Sequence, residues 1–257
     1  MTLREHWIVL ACIVRREMVR VNRIWLQTII PPMITMSLYF VIFGKLVGSR
    51  IGRINGFSYI EFIVPGLIMM SIIINSYSNV SSSFFSSKFQ RCIEELLVAP
   101  AKNELIILGY VLGGLYRGAV VGGVVLAVAL FFTSLPLHSV GMLFAYGMLT
   151  ASVFSLAGLL NALYANSFDD VSIIPTFVLT PLSYLGGVFY SLEQLPEFWA
   201  KVTLFNPVFY MVDGFRYAFL GSSESSVNLG LAILIASNIV LYVLTLTLFQ
   251  RGIGLKN

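Results

Sequence analysis

Ser71, Asn75, Ser78, Ser82 and Ser86 recur at steps of three or four in a stretch otherwise built of isoleucine, methionine, valine and phenylalanine. On a helix such steps fall on one face. Asn79, Ser83 and Ser87 sit beside them. Hydroxyls and amides in that setting have two uses. They can glue packed membrane helices together, or they can line a hydrated path or a dimer seam. Neither use is covalent chemistry. A nucleophile needs a base within reach, and the only histidines, His6 and His138, share no membrane depth with a serine. Cys12 and Cys92 have neither disulfide nor metal-ligand spacing and read as small apolar packing residues. A phosphate-cradling loop is absent, because Gly44-Lys45 is followed by leucine and lacks the preceding glycine. No chain of buried acids offers proton coupling. Catalytic, cofactor and metal residues are therefore not expected here.

Three further segments carry polar or aromatic chemistry. Residues 88–100 read KFQRCIEELLVAP. Phe89, Cys92/Ile93 and Leu96/Leu97 form a short apolar face, and Arg91, Glu94 and Glu95 a charged one, before Pro100 stops the helix. This is either a solvated loop or a knob that docks into a socket. Over residues 3–23, Leu3, Trp7, Leu10, Val14, Met18, Val21 and Trp25 share a helical face, with Arg15, Arg16, Arg20 and Arg23 off it. A basic amphipathic helix suits the membrane interface, apolar side down. It is either a topology anchor or a collar that also touches a partner. Residues 187–224 are rich in aromatics and break at Asn206-Pro207 between two short helices, around 195–202 and 209–220. Too broken to span and too apolar for water, they suggest a re-entrant or interfacial pair. Arg117, near a membrane interior, either snorkels to the surface or lines a path. Asp169-Asp170 suits the N-terminus of a helix.

These segments must hang on a membrane bundle. Of 257 residues, 58% are hydrophobic and 11% charged, where a soluble domain carries about 25% charged residues. Charge-free windows at 24–44, 62–87, 118–168, 171–192 and 225–250 are each long enough for a span of about 20 residues, and the third for two. The expected fold is an all-α polytopic membrane protein with six transmembrane helices at 24–46, 62–87, 105–133, 140–166, 170–190 and 226–250. The interface helix is expected at 1–23, a cytoplasmic helix at 88–100 and the re-entrant pair at 191–221. The first apolar stretch is long enough to span and does not read as a cleaved leader. Most of the 16 basic residues fall inside if both termini are cytoplasmic, so the orientation reads N-in, C-in. The excess of basic residues is then a topology signal, and no basic soluble module suggests nucleic acid.

In this order of parts the chain resembles the bacterial type-2 ATP-binding-cassette permeases, a family of exporter membrane subunits. The wording that carries the resemblance is FIVPGLIMM at 62–70, FQRCIEELLVAP at 89–100, LGGVFYSLEQLP at 185–196 and NPVFYMVDGFRYAFLG at 206–221. The resemblance implies a homodimer in the bacterial inner membrane, bound to two copies of a separate subunit that holds ATP and Mg. It implies that Phe89, Arg91, Glu94, Glu95 and Leu96 form a coupling helix, with Trp7, Arg15, Arg16 and Arg20 on the interface helix as a second contact. Ser71, Asn75, Asn79, Ser82, Tyr184, Phe189 and Tyr190 would border the path. Trp199, Asn206, Pro207, Tyr210 and Arg216 would belong to an outer lid. The resemblance does not give the cargo; an aromatic, weakly charged path would suit an amphipathic, lipid-like or glycan molecule. Two other classes stand beside this one: an ion-coupled secondary transporter, for which internal symmetry and midplane charges are lacking, and a non-transporting assembly or sensor protein.

Overall fold

The computed structural model describes residues 3–93 and 101–254. It is helical almost throughout. Helix α1 (Leu3–Arg23) opens with Glu5 and closes with Arg20 and Arg23, charges that complement its dipole. After a break at Ile24 the chain turns into α2 (Trp25–Tyr39), which holds Pro31 and Pro32. It passes into a π-helical segment at Phe40–Val47 and a last turn at Gly48–Ile51. Gly52, at φ 82°, ends the helix. A minimal hairpin follows, β1 (Arg53–Ile54) with β2 (Phe57–Ser58). Its Asn55-Gly56 turn has positive φ at both residues, 50° and 86°, the requirement of a type I′ turn. This is the one departure from an all-α fold among the described residues, and it lies in the connection between the first two expected spans.

The centre of the molecule is α3 (Tyr59–Phe89), 31 residues long. It starts where Ser58 N donates to the Glu61 carboxylate at 2.8 Å. Helices α4 (Asn103–Ala129) and α5 (Val140–Tyr164) pack along it. Small residues allow the close approach. A Cβ on Gly158 would lie 2.5 Å from the Tyr77 carbonyl oxygen on α3, so only glycine permits this α3–α5 spacing. The chain continues through α6 (Phe168–Ile174), a π-helical Pro175–Leu179 and α7 (Thr180–Tyr184) without interruption. Ser167 caps α6, donating its N–H to Asp170 at 3.0 Å and accepting from Asp170 N at 3.1 Å, the role expected of the acids there. The helical run stops at Tyr184 rather than continuing to 190, because Gly187, at φ 73°, turns the chain.

Helices α8 (Glu197–Phe205) and α9 (Pro207–Leu220) follow, then α10 (Val227–Arg251). Among the described residues, five helices are long and apolar enough to cross a membrane: α2 with its extension, α3, α4, α5 and α10. The run from α6 to α7 falls outside that group. One apolar cluster gathers the first half of α3 with α5, α9 and the start of α10, around Phe62, Ile63, Leu67, Tyr146 and Phe215. A second gathers the far halves of α3 and α5 with α1, α4 and the end of α10, around Phe84, Phe85, Tyr110 and Leu159. Helices α2 and α10 keep much of their apolar surface outside, Ile30, Ile34 and Leu38 on one and Ile235, Ile239 and Val243 on the other.

Candidate functional site

Helix α1 buries only one edge of the apolar stripe read from its sequence, at Val21. Leu3 and Trp7 are exposed, and the buried face is Ile13, Glu17 and Val21. The reason lies on α4. Gly109 and Gly113 remove two side chains, and Ile13 and Glu17 settle against the bare backbone. These pairs run in step with Asn22, which accepts from Tyr116 OH at 2.8 Å. Helix α1 thus lies lengthwise on α4.

Glu17 is 1% exposed and would cost several kcal/mol if left alone there. It is not alone. Arg20 Nη2 lies 3.2 Å and Arg16 Nη2 3.3 Å from its oxygens, and Ser83 on α3 donates to it at 2.7 Å. Arg20 also donates to Asn79 Oδ1 at 2.6 Å. Arg16 donates to Tyr110 OH at 2.7 Å, and Tyr110 to Ser87 at 3.1 Å. Burial works against the Arg16 charge, but Tyr110 and Glu17 outweigh it and its pKa is raised. Two of the predicted interface arginines, Arg16 and Arg20, are therefore tied to Glu17 while still partly exposed, and Arg15 and Trp7 face out. Sequence reading missed Glu17, an acid amid arginines on a helix face, which is the signal that could have revealed it. Arg117 sits one turn beyond Gly113 with its Nε buried and unpartnered.

The predicted path residues on α3 divide. Ser71 and Asn79 are buried, and Asn75 and Ser82 are half-buried. Ser71, Asn75 and Ser82 give their hydrogen bonds to carbonyls one turn back, at Leu67 (3.0 Å), Ser71 (3.0 Å) and Ser78 (2.6 Å). The Asn79–Ser83 edge is occupied by α1. The Asn75–Ser78–Ser82–Ser86 edge stays partly open.

At the opposite end of α3 the aromatic residues converge. Tyr184 OH and Tyr39 OH are 3.1 Å apart, and the Phe189 ring lies 5.0 Å from Phe43 and 5.6 Å from Tyr184. Tyr59 OH donates to Phe189 O at 3.0 Å. Tyr190 is separate, paired with Thr203 at 3.3 Å. Tyr39 and Phe43 are the members that sequence reading missed. Asn206 caps α9 through Val208 N at 3.0 Å and donates to Leu182 O at 2.7 Å, with Pro207 at the first helical position. Tyr210 OH donates to Leu204 O at 3.1 Å, and Trp199 is exposed beside Phe198.

Arg216, expected on the outer lid, is instead 2% exposed. It lies over the Phe62 ring at 3.8 Å, donates to Phe62 O at 3.2 Å and to Gly187 O at 2.6 Å, and has Asp213 at 4.0 Å. Asp213 in turn accepts from the backbone of Glu224 and Ser225, each at 2.9 Å. The pair ties α9 to the start of α3, to the turn after α7 and to the entry of α10.

At the other end α3 runs out at Phe89, exposed, its ring 5.4 Å from Phe168 on α6. Phe85 lies 4.8 Å from Phe168. Lys88, which sequence reading passed over, is buried and donates to Leu163 O at 2.9 Å and Ala165 O at 3.0 Å, capping the C-terminus of α5. Arg91 is exposed at φ 60°. Glu94, Glu95 and Leu96 lie outside the described residues. Cys12 and Cys92 are exposed free thiols, not the packing residues expected, because their segments turn other faces to the bundle.

Comparison with known proteins gives the family. The family model for the ABC-2 type transporter matches residues 9–220. The chain belongs to that family. It is 54% identical to the inner membrane transport permease YadH of Escherichia coli K12 over 252 residues, 98% of each chain. It is 24% identical to nodulation protein J of Rhizobium leguminosarum bv. viciae, over 92% of each chain, and 26% identical to that of Rhizobium meliloti. The protein is a multi-pass inner-membrane protein, a transmembrane subunit of an ABC transporter and a transport permease rather than an enzyme.

Proposed function

We propose that this chain is the membrane half of an ATP-driven exporter. It acts as a homodimer bound to two copies of a separate ATP-binding subunit, which holds the ATP and Mg, and moves an amphipathic, lipid-like or glycan cargo outward. The observation that carries the reading is α3. It is one unbroken helix of 31 residues, about 46 Å at 1.5 Å per residue. One end projects at Phe89 and is pinned to α5 by Lys88; the other receives Arg216 at Phe62. A push on the segment after Phe89 reaches the outer tie through a single rigid body.

In this reading the chain is one permease domain, N-in and C-in, with Phe168–Tyr184 as the sixth crossing, completed by the turn at Gly187. In place of a separate helix from residue 88, the coupling segment begins where α3 ends at Phe89, and Phe89, Arg91, Glu94, Glu95 and Leu96 lie against the ATP-binding subunit. The exposed Trp7 of α1 adds a second contact, while Arg16 and Arg20 hold α1 in place. The open edge of α3 with Asn75 and Ser82, and the aromatic cluster of Tyr184 and Phe189, border the path. Helices α8 and α9, with Trp199 and Tyr210, cover its outer end, and Asn206, Pro207 and Arg216 anchor that cover. The bare apolar faces of α2 and α10 meet lipid and the second copy.

The test is co-purification with the ATP-binding subunit, followed by reconstitution. A stable complex whose ATP turnover depends on the permease is expected, with Glu94→Arg/Glu95→Arg losing it. Wild-type-like assembly and turnover in that variant would remove the coupling assignment. An intact complex that moves nothing would favour the non-transporting alternative.

A further inference from the structure

Between α1 and the last turns of α3 lies a groove of roughly 710 Å³. Its two walls are chemically matched. Arg15, Arg16, Arg20 and Arg23 line one side at helical steps. Ser82, Ser83, Ser86, Ser87 and Gln90 line the other. Glu17 is the carboxylate in the lining, and it is spent on Arg16 and Arg20. Arg15 and Arg23 have no acidic partner among the described residues, the Ser86 hydroxyl makes no hydrogen bond there, and the Asn79 amide nitrogen beneath the groove is buried without an acceptor. Unspent donors around a net positive space call for an anion with several acceptor oxygens.

The depth of the groove selects its source. Helix α3 is about 46 Å long at 1.5 Å per residue and a bilayer's hydrocarbon core is about 30 Å, so its last turns, from Ser82 on, reach headgroup level. Val19 and Ile24 border the groove, and Trp25 and Leu26 are exposed just past it, an apolar rim against which acyl chains can lie. We infer that this groove binds the anionic phosphate headgroup of a membrane lipid. The guanidinium groups of Arg15 and Arg23 take the phosphate oxygens from one wall, and the Ser86 hydroxyl from the other. The inference uses the membrane placement of the chain and is independent of the exporter reading, so it is tested without the ATP-binding subunit.

The test is native mass spectrometry of the full chain, purified in detergent and offered equal dioleoyl-phosphatidylglycerol and dioleoyl-phosphatidylcholine. Phosphatidylglycerol should be retained at least about tenfold more strongly, the effect of roughly one charge-assisted contact. Arg15→Ala/Arg23→Ala should lose that preference. Ser86→Leu, which narrows the groove from the α3 wall, should lose it too. Arg53→Ala/Arg251→Ala removes as much charge elsewhere and should keep it. Equal retention of both lipids, wild-type retention in the groove variants, or equal loss in the control would overturn the inference. So would release of the lipid by inorganic phosphate at the same concentration, which marks a soluble-anion site, or a dimer that carries no lipid because the second copy fills the groove.

Discussion

Glu17 and Arg216 show how charge is managed within this bundle. Each is buried, each has opposite charge at hand, and each joins elements distant in sequence. Removing one partner of a buried pair costs about 3–5 kcal/mol because the other is left uncompensated. Arg16 and Arg20 are partly exposed, so solvent screens part of that loss. Glu17→Leu should lower stability by about 2 kcal/mol, seen as a reduced melting temperature in detergent, with α1 becoming open to proteolysis. An unchanged melting temperature would mean that α1 is held by Ile13 and Val21 alone. Arg216→Lys keeps the charge but cannot reproduce the planar group over Phe62 together with two fixed carbonyl contacts. It should slow transport while ATP turnover persists; normal transport in this variant would show that the outer tie does not matter. Sequence reading placed Arg216 in this segment without saying which way it faces. Nothing in NPVFYMVDGFRYAFLG tells which face of that helix is covered; only the arrival of Phe62 and Gly187 does.

Among elements, glycine spacing decides how closely the helices lie. Gly158→Ala should force α5 from α3, at a cost of about 1–3 kcal/mol typical of overpacking, because the new Cβ meets backbone at Tyr77. Gly123→Ala meets nothing within 4 Å and should be neutral or slightly stabilising, since alanine favours a helix. Equal melting temperatures for the two variants would contradict the packing described. Lys88→Met should leave the fold in place but loosen α5 from the end of α3, giving ATP turnover without matching transport; tight coupling in that variant would remove Lys88 from the relay. Most helices were legible because hydrocarbon tolerates so little charge: α3, α4, α5 and α10 begin and end within a few residues of the expected spans. The fifth expected span was not, since Pro175 and Pro181 sit in a run that becomes π-helical and then turns at Gly187. The hairpin before α3 was announced by Asn55-Gly56, the strongest short-range hairpin signal, but with strands of two residues each it was too small to show alternation. The face of α1 was legible only at Val21 and in the lone acid Glu17 amid arginines, because Gly109 and Gly113 of another helix choose the rest.

For the whole molecule, the account makes α3 a lever shared by two copies of the chain. In the proposed function its inner end carries the segment that meets the ATP-binding subunit, and its outer end is the one clasped by Arg216. The direct measurement is the distance between copies at both ends of α3, by paired spin labels in the reconstituted complex. Cys12 and Cys92 are exposed and must first be changed to serine. One label pair goes at Gln90→Cys, just past Phe89, and the other at Arg53→Cys, in the hairpin that leads into Tyr59. On trapping ATP, both distance distributions should shift together, in one step and at one nucleotide concentration. A shift at Gln90 with none at Arg53, or no inter-copy distance at all, would contradict the account.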